Sequence, residues 1–251
     1  YFAKYCKVSF ILSSIQEILK ESADISRLNC NGIEAYPLQD YILQSTFLKM
    51  TGYSEQKLKC ICWDIASIDY TFRYQVYQNW SFGECSNLSD KTKIYKKIVE
   101  TIKEYDNSFN VESYIRDLYD EPQKIIKKNF EDCKNILKSS SMKFFYERDF
   151  NNFVKDDETF KSDQELCKFS KKNTFILNDN LKEIYEELYK QRNRCAHNLK
   201  SYQQNLPKIT FLLKKKDTSN YFYYFTVLML MDEIFIRLYE KLSNLIIENN
   251  W

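Results

Sequence analysis

Residues 221–245 read YFYYFTVLMLMDEIFIRLYEKLSNL, and their spacing decides the fold class. Phe225, Leu228, Met231, Phe235, Leu238, Leu242 and Leu245 recur every three or four residues. That is the period of one helix face, not the alternation of a strand. The heptad-like repeat predicts a long helix packed lengthwise against others, as in a bundle. Its most apolar part, Tyr221 to Met231, ends at Asp232 and Glu233. It is too short for a bilayer, which needs roughly 20 apolar residues. The aromatic and Met residues of the stripe therefore read as core.

The same period extends outward. Before a connector containing Pro207, the positions Leu181, Ile184, Tyr185, Leu188, Cys195 and Leu199 form a second stripe. At the other end, Val8, Ile11, Leu12, Ile15, Ile18 and Leu19 predict a helix over 4–27. A break over 29–37 and a shorter helix over 38–49 follow, with Gly52 as punctuation and Ser54 as the N-cap of the next helix. That helix would place Leu58, Ile61, Cys62, Ile65, Ile68, Phe72 and Val76 on one face. A loop is expected over 81–89 and helices over 90–105 and 111–138, with Pro122 starting a new helix or kinking this one. Residues 139–177, with Ser139–Ser141 and the acidic Asp156-Asp157-Glu158, read as a loop-rich connector. The expected division is a helical region over 1–135 and a second helical domain over 136–251.

Composition agrees. The 251 residues hold only three glycines and three prolines, against averages of roughly 7% and 5%. Few tight turns are then available, which argues against a β-sandwich, a barrel or a Gly-rich nucleotide loop. A hydrophobic content of 44% supplies a sizeable core in an all-α chain. The eight cysteines are irregularly spaced with no CxxC pair, so free thiols in a reducing cytoplasm are expected rather than a disulfide scaffold or zinc site. The single histidine, His197, excludes a metal site built on two histidines of one chain. No cofactor and no membrane partner are expected.

The net charge of +2 hides an asymmetry. Between Tyr189 and Lys216 lie Lys190, Arg192, Arg194, Lys200, Lys208, Lys214, Lys215 and Lys216, without one Asp or Glu. The rest of the chain therefore carries −6. A polyanion would be drawn to that window, which also contains the only histidine. Arg192 falls on the apolar stripe, four residues after Leu188. A guanidinium there must be paired, or must face a cleft or a second subunit. Asn193 and His197, four apart, share a helix face.

Arg192-Asn193-x-x-x-His197 resembles the signature of the HEPN superfamily: an arginine, a polar residue, three more residues and a histidine. The likeness spans roughly 178–248, the motif helix and the long apolar helix after it. It implies a bundle of four to five core helices, here with additional N-terminal helices, that dimerises to bring two motifs together. In active members it implies metal-independent endoribonuclease activity, leaving 2′,3′-cyclic phosphate and 5′-hydroxyl ends. By this resemblance Arg192, Asn193 and His197 are the catalytic set. Arg194, Lys190, Lys200, Lys214, Lys215 and Lys216 would bind RNA phosphates. The expected partners are RNA (tRNA included), a second copy of the chain, and an antitoxin or regulator; the expected role is that of a toxin or anti-phage effector. One branch carries a tyrosine two residues after the histidine as a modification target. Leu199 stands there instead, which argues against that form of regulation.

The chemistry is compatible with these residue types. Attack of an RNA 2′-hydroxyl on its own phosphate needs proton transfer, for which an imidazole is suited. It also needs donors to the phosphate oxygens, which an arginine fork supplies. Two other readings are open. One keeps the HEPN fold but not catalysis, leaving a dimerisation or RNA/nucleotide-binding module. In the other, Arg192 forms an interhelical salt bridge and His197 is an ordinary surface residue. The acidic run Asp156-Asp157-Glu158 reads as solvated surface.

Overall fold

A helix segment buried on every side needs neighbours on every side, and the first half of residues 221–249 organises the protein in this way. The computed structural model describes residues 8–28, 35–78, 85–131, 143–156, 159–160, 177, 179–197, 218 and 220–249. The helices are α1 (Gln16–Leu28), α2 (Ala35–Ile68), α3 (Tyr70–Gln78), α4 (Leu88–Tyr105), α5 (Val111–Ile115), α6 (Glu121–Glu131), α7 (Lys143–Lys155), α8 (Asp179–His197) and α9 (Tyr221–Asn249). A helical turn over 8–12 precedes α1, and a 3₁₀ turn, Arg116–Leu118, follows α5. No strand occurs among the described residues, so the fold class is all-α.

Helix α9 is the central element. Every residue from Phe222 to Asp232 is buried, as are all seven positions of its heptad-like stripe. It packs against α2, α4, α6, α7 and α8. Around its first turns the core is aromatic. Phe130 and Phe150 meet Phe222, and Phe153 and Phe160 meet Tyr223, with ring centroids 5.0–5.8 Å apart. Each such pair adds about 1 kcal/mol beyond the area it buries. Buried apolar residues from 11 to 245 form one continuous cluster.

The structure changes several boundaries. The helix expected over 4–27 is interrupted at Ser13–Ile15. There the Ile15 N–H donates to Asp232 Oδ2 at 3.0 Å, and Lys57 Nζ donates to the Ser13 carbonyl. Side chains from α2 and α9 thus replace bonds that a continuous helix would make internally.

The break expected at Gly52 and Ser54 does not exist. Residues 35–68 are one helix, and Ser54 is buried within it rather than capping a new one. Met50, Thr51, Lys57 and Leu58 are buried on either side of Gly52. Their packing outweighs the ~1 kcal/mol that a mid-helix glycine costs. Pro37 sits in the first turn of α2, where a missing N–H costs no helical bond.

The helix breaks instead at Asp69, whose Oδ1 accepts the Phe72 N–H at 3.0 Å and caps α3. Phe72 and Val76 are buried as expected, but Ile68 is 48% exposed, because the break turns it away from their face. Pro122 is the second residue of α6, so it begins a helix. The expected connector over 139–177 contains α7. Asp156 accepts from Tyr223 Oη (2.7 Å) and from Thr159, while its carbonyl accepts from Gln123. That carboxylate is a structural joint between α7, α9 and the turn after it. Asp157, Glu158 and Ser139–Ser141 lie outside the described residues. Among the described residues, no helix is long and apolar enough to cross a membrane.

Candidate functional site

Helix α8 enters the core with its first half and leaves it with its second. Leu181, Ile184, Tyr185 and Leu188 are buried, whereas Gln191 through Ala196 are each half-buried. The Tyr185 hydroxyl donates to the Ser86 carbonyl at 3.1 Å, tying α8 to the segment before α4. Arg192 lies just past this buried stripe, at the edge between core and solvent.

Arg192 is paired. Its Nη2 donates to Glu55 Oε2 of α2 at 3.0 Å, across 137 positions of chain. Its Nη1 donates to Asn193 Oδ1 at 3.2 Å. The two charged side chains are 26% and 15% exposed, so the pair is partly shielded from solvent. A guanidinium has five N–H donors. Among the described residues only two of these are engaged, which leaves the fork able to take a further acceptor.

The other expected site residues divide sharply. Arg192 and Asn193 are brought into contact. Arg194 is directed along its own helix, with Nη1 on Gln191 Oε1 at 3.2 Å. Lys190 is an exposed residue paired with Glu187 at 2.8 Å. His197 is the last residue of α8, one turn beyond Asn193, and only its backbone is described. Lys200, Lys208, Lys214, Lys215 and Lys216 lie outside the described residues, as does Leu199.

Two charged residues near Arg192 escape a sequence reading. Glu55 sits in the polar-looking run Tyr53-Ser54-Glu55-Gln56-Lys57, where nothing local marks it as the partner of a residue on α8. Lys91 is only 2% exposed and lies in the first turn of α4. A cation there opposes the helix dipole, the one sequence signal it carries. Burial pushes its ammonium down to about 8, against the favourable charges of Glu55 and Asp90, while Arg192 adds to the depression. Among the described residues the Lys91 ammonium makes no hydrogen bond.

Around these charges the uncharged groups stay uncharged. Burial pushes the Cys85 thiol up to about 12 and the Tyr185 phenol well above its ordinary range. Cys85 is fully buried at a φ of 53°, in the left-handed region. The four described cysteines, Cys60, Cys62, Cys85 and Cys195, are free thiols.

Compared with protein-family profiles, curated proteins and solved structures, the chain matches none. The functional reading therefore stands on the residues themselves.

Proposed function

We propose that the protein is a metal-independent endoribonuclease of HEPN type, acting as a homodimer whose motif helices meet, and serving as a toxin or anti-phage effector. One observation carries the reading. A half-buried arginine is held at the edge of the core by Glu55 and touches the asparagine that follows it. The chain's single histidine closes the same helix one turn later. On this reading α8 and α9 belong to a bundle of four to five core helices, completed by earlier helices that pack on α9, with the remaining N-terminal helices as additions.

The chemistry assigns a step to each residue. The 2′-oxygen attacks the adjacent phosphorus, the bond from phosphorus to the 5′-oxygen breaks, and the 5′-oxygen leaves as a hydroxyl. One proton leaves the 2′-hydroxyl and one reaches the leaving oxygen, so a base and an acid are both required. One chain has one imidazole, whereas a dimer has two in a shared cleft. Arg192 directs its remaining N–H groups at the non-bridging oxygens, where negative charge builds. Asn193 orients the Arg192 guanidinium through the 3.2 Å contact.

The Arg192–Glu55 pair also favours a second reading, in which Arg192 is an interhelical salt bridge and His197 an ordinary surface residue. The remaining alternative is a HEPN-fold dimerisation or RNA/nucleotide-binding module without catalysis. Incubation with total RNA or tRNA in EDTA separates these readings. Cleavage should persist in EDTA and fall by at least about 100-fold in both His197→Ala and Arg192→Ala. Cleavage that needs Mg²⁺, or that survives His197→Ala, rejects the mechanism. RNA that is bound but left intact establishes the binding module.

A further inference from the structure

Helix α3 turns an aromatic face to solvent. Tyr70, Tyr74 and Tyr77 are spaced four and three residues apart, so they share the outer face, while Phe72 and Val76 hold the inner one in the core. Across the break at Asp69, Trp63 of α2 meets the Tyr77 ring at 6.1 Å. The four aromatic side chains are each 48–75% exposed. With exposed Ile68 they offer about 600 Å² per copy, most of the roughly 800 Å² that each partner of a standard interface buries. The charges of the same stretch are turned inward. Between residues 63 and 78 they are Asp64, Asp69 and Arg73, and each is engaged by the chain itself. Asp64 accepts from the Tyr239 hydroxyl at 2.6 Å, Asp69 pairs with Lys97, and Arg73 donates to the Ala66 and Ser67 carbonyls at 2.7 and 3.0 Å. Every exposed residue of 63–78 is uncharged, the rings and Ile68 being joined only by serine, threonine and glutamine. The chain as a whole is 29% charged, so this patch is not a sample of its ordinary surface.

A two-fold contact sets each residue near its axis against its own copy. A charge there meets a like charge, whereas a tyrosine meets a ring that packs edge to face and a hydroxyl that both donates and accepts. An uncharged surface of Tyr and Trp is thus complementary to itself, and the centres of protein interfaces share that composition. A nucleic acid would require cations among the rings, and the exposed residues of 63–78 supply none. The rings are also placed before any partner arrives. Gln78 Nε2 donates to Tyr74 Oη at 2.7 Å, and the Asp69 cap and Arg73 fix α3 against the end of α2. Less ordering then remains for binding to impose. We propose that the face formed by Trp63, Tyr70, Tyr74 and Tyr77 is a contact between two copies of this chain. It supplies a surface for the second copy that the ribonuclease reading requires, yet it depends neither on the motif nor on cleavage.

The test is the mass of the full chain in solution, read by light scattering at micromolar concentration. Wild type should be a dimer. Tyr74→Glu sets a charge at the centre of the face and should weaken pairing by at least about 100-fold, returning the mass of one chain. Tyr70→Ser combined with Tyr77→Ser, a second variant that adds no charge, should do the same. Tyr41→Glu, the same change at an exposed tyrosine near the start of α2, should remain a dimer. All four tyrosines are exposed, so far-UV circular dichroism and the denaturation midpoint should match wild type in every variant. The inference is overturned if wild type is a monomer, if either patch variant pairs as tightly as wild type, or if Tyr41→Glu abolishes pairing as well. A monomeric wild type whose affinity for a labelled single-stranded oligonucleotide falls in Tyr74→Glu overturns it in favour of a nucleic-acid platform. Monomeric patch variants that still cleave RNA reject the composite dimer site and leave this inference standing. Patch variants that both pair and cleave reject this inference and leave the enzyme standing.

Discussion

Lys57 and Asp232 show how much can depend on two side chains. Each is 1% exposed, and Lys57 Nζ meets Asp232 Oδ1 at 2.6 Å. Burial pushes the Asp232 carboxyl up to about 6, against the pull of the Lys57 charge beside it. Asp232 also accepts from the Ile15 N–H, and Lys57 also donates to the Ser13 carbonyl. Two residues on different helices thereby hold the interruption before α1. Removing one partner strands a buried charge, whereas removing both does not. Asp232→Asn should cost about 3–5 kcal/mol in urea denaturation at neutral pH. The double change Lys57→Met with Asp232→Leu should cost much less than that single change, or even stabilise, at the expense of order around Ser13–Ile15. A single change as mild as the double one would show that the pair is not the joint described. Arg192 and Glu55 are the milder, partly exposed version of the same arrangement.

Among the elements, α2 departs furthest from its sequence. Gly52 has the look of punctuation, yet it is an exposed mid-helix residue, and a Cβ placed there meets nothing within 4 Å. Glycine costs a helix interior roughly 0.5–1 kcal/mol relative to alanine. Gly52→Ala should therefore raise stability by about that amount, read as a higher denaturation midpoint at unchanged slope. A loss of stability would mean the helix does not run straight through 52. The opposite lesson comes from Asp69, where a real break carries no glycine or proline and relies on a side-chain cap. Local residue type marked neither position correctly, because packing of Met50, Leu58 and Ile61 against other helices decides continuity. Helix α9 was legible from its spacing alone, since a repeat at three and four residues admits one packed geometry. The site was legible in part. Arg192 on an apolar stripe announced that it needed a partner, but Glu55, 137 positions away, could not be named from any local pattern. The burial of Lys91 was invisible for the same reason.

At the scale of the whole molecule, the proposed chemistry demands two chains, because one chain holds one imidazole. Light scattering at micromolar concentration should return twice the chain mass, and a strict monomer would count decisively against a composite cleft. All described helices wrap one core around α9, so a dimer would have to form on the outer, half-buried faces, among which is the 191–196 stretch of α8. By itself the sequence determined the all-α class, the central apolar helix, the concentration of positive charge around the only histidine, and the motif-bearing helix. These follow from periodicity and composition, which act along the chain and need no knowledge of what lies across the core. Tertiary structure alone decided where helices break, which carboxylate answers Arg192, and that Lys57, Asp232 and Lys91 are buried. Those outcomes depend on burial and on charges brought together from distant segments, and desolvation has no signature in the order of residues.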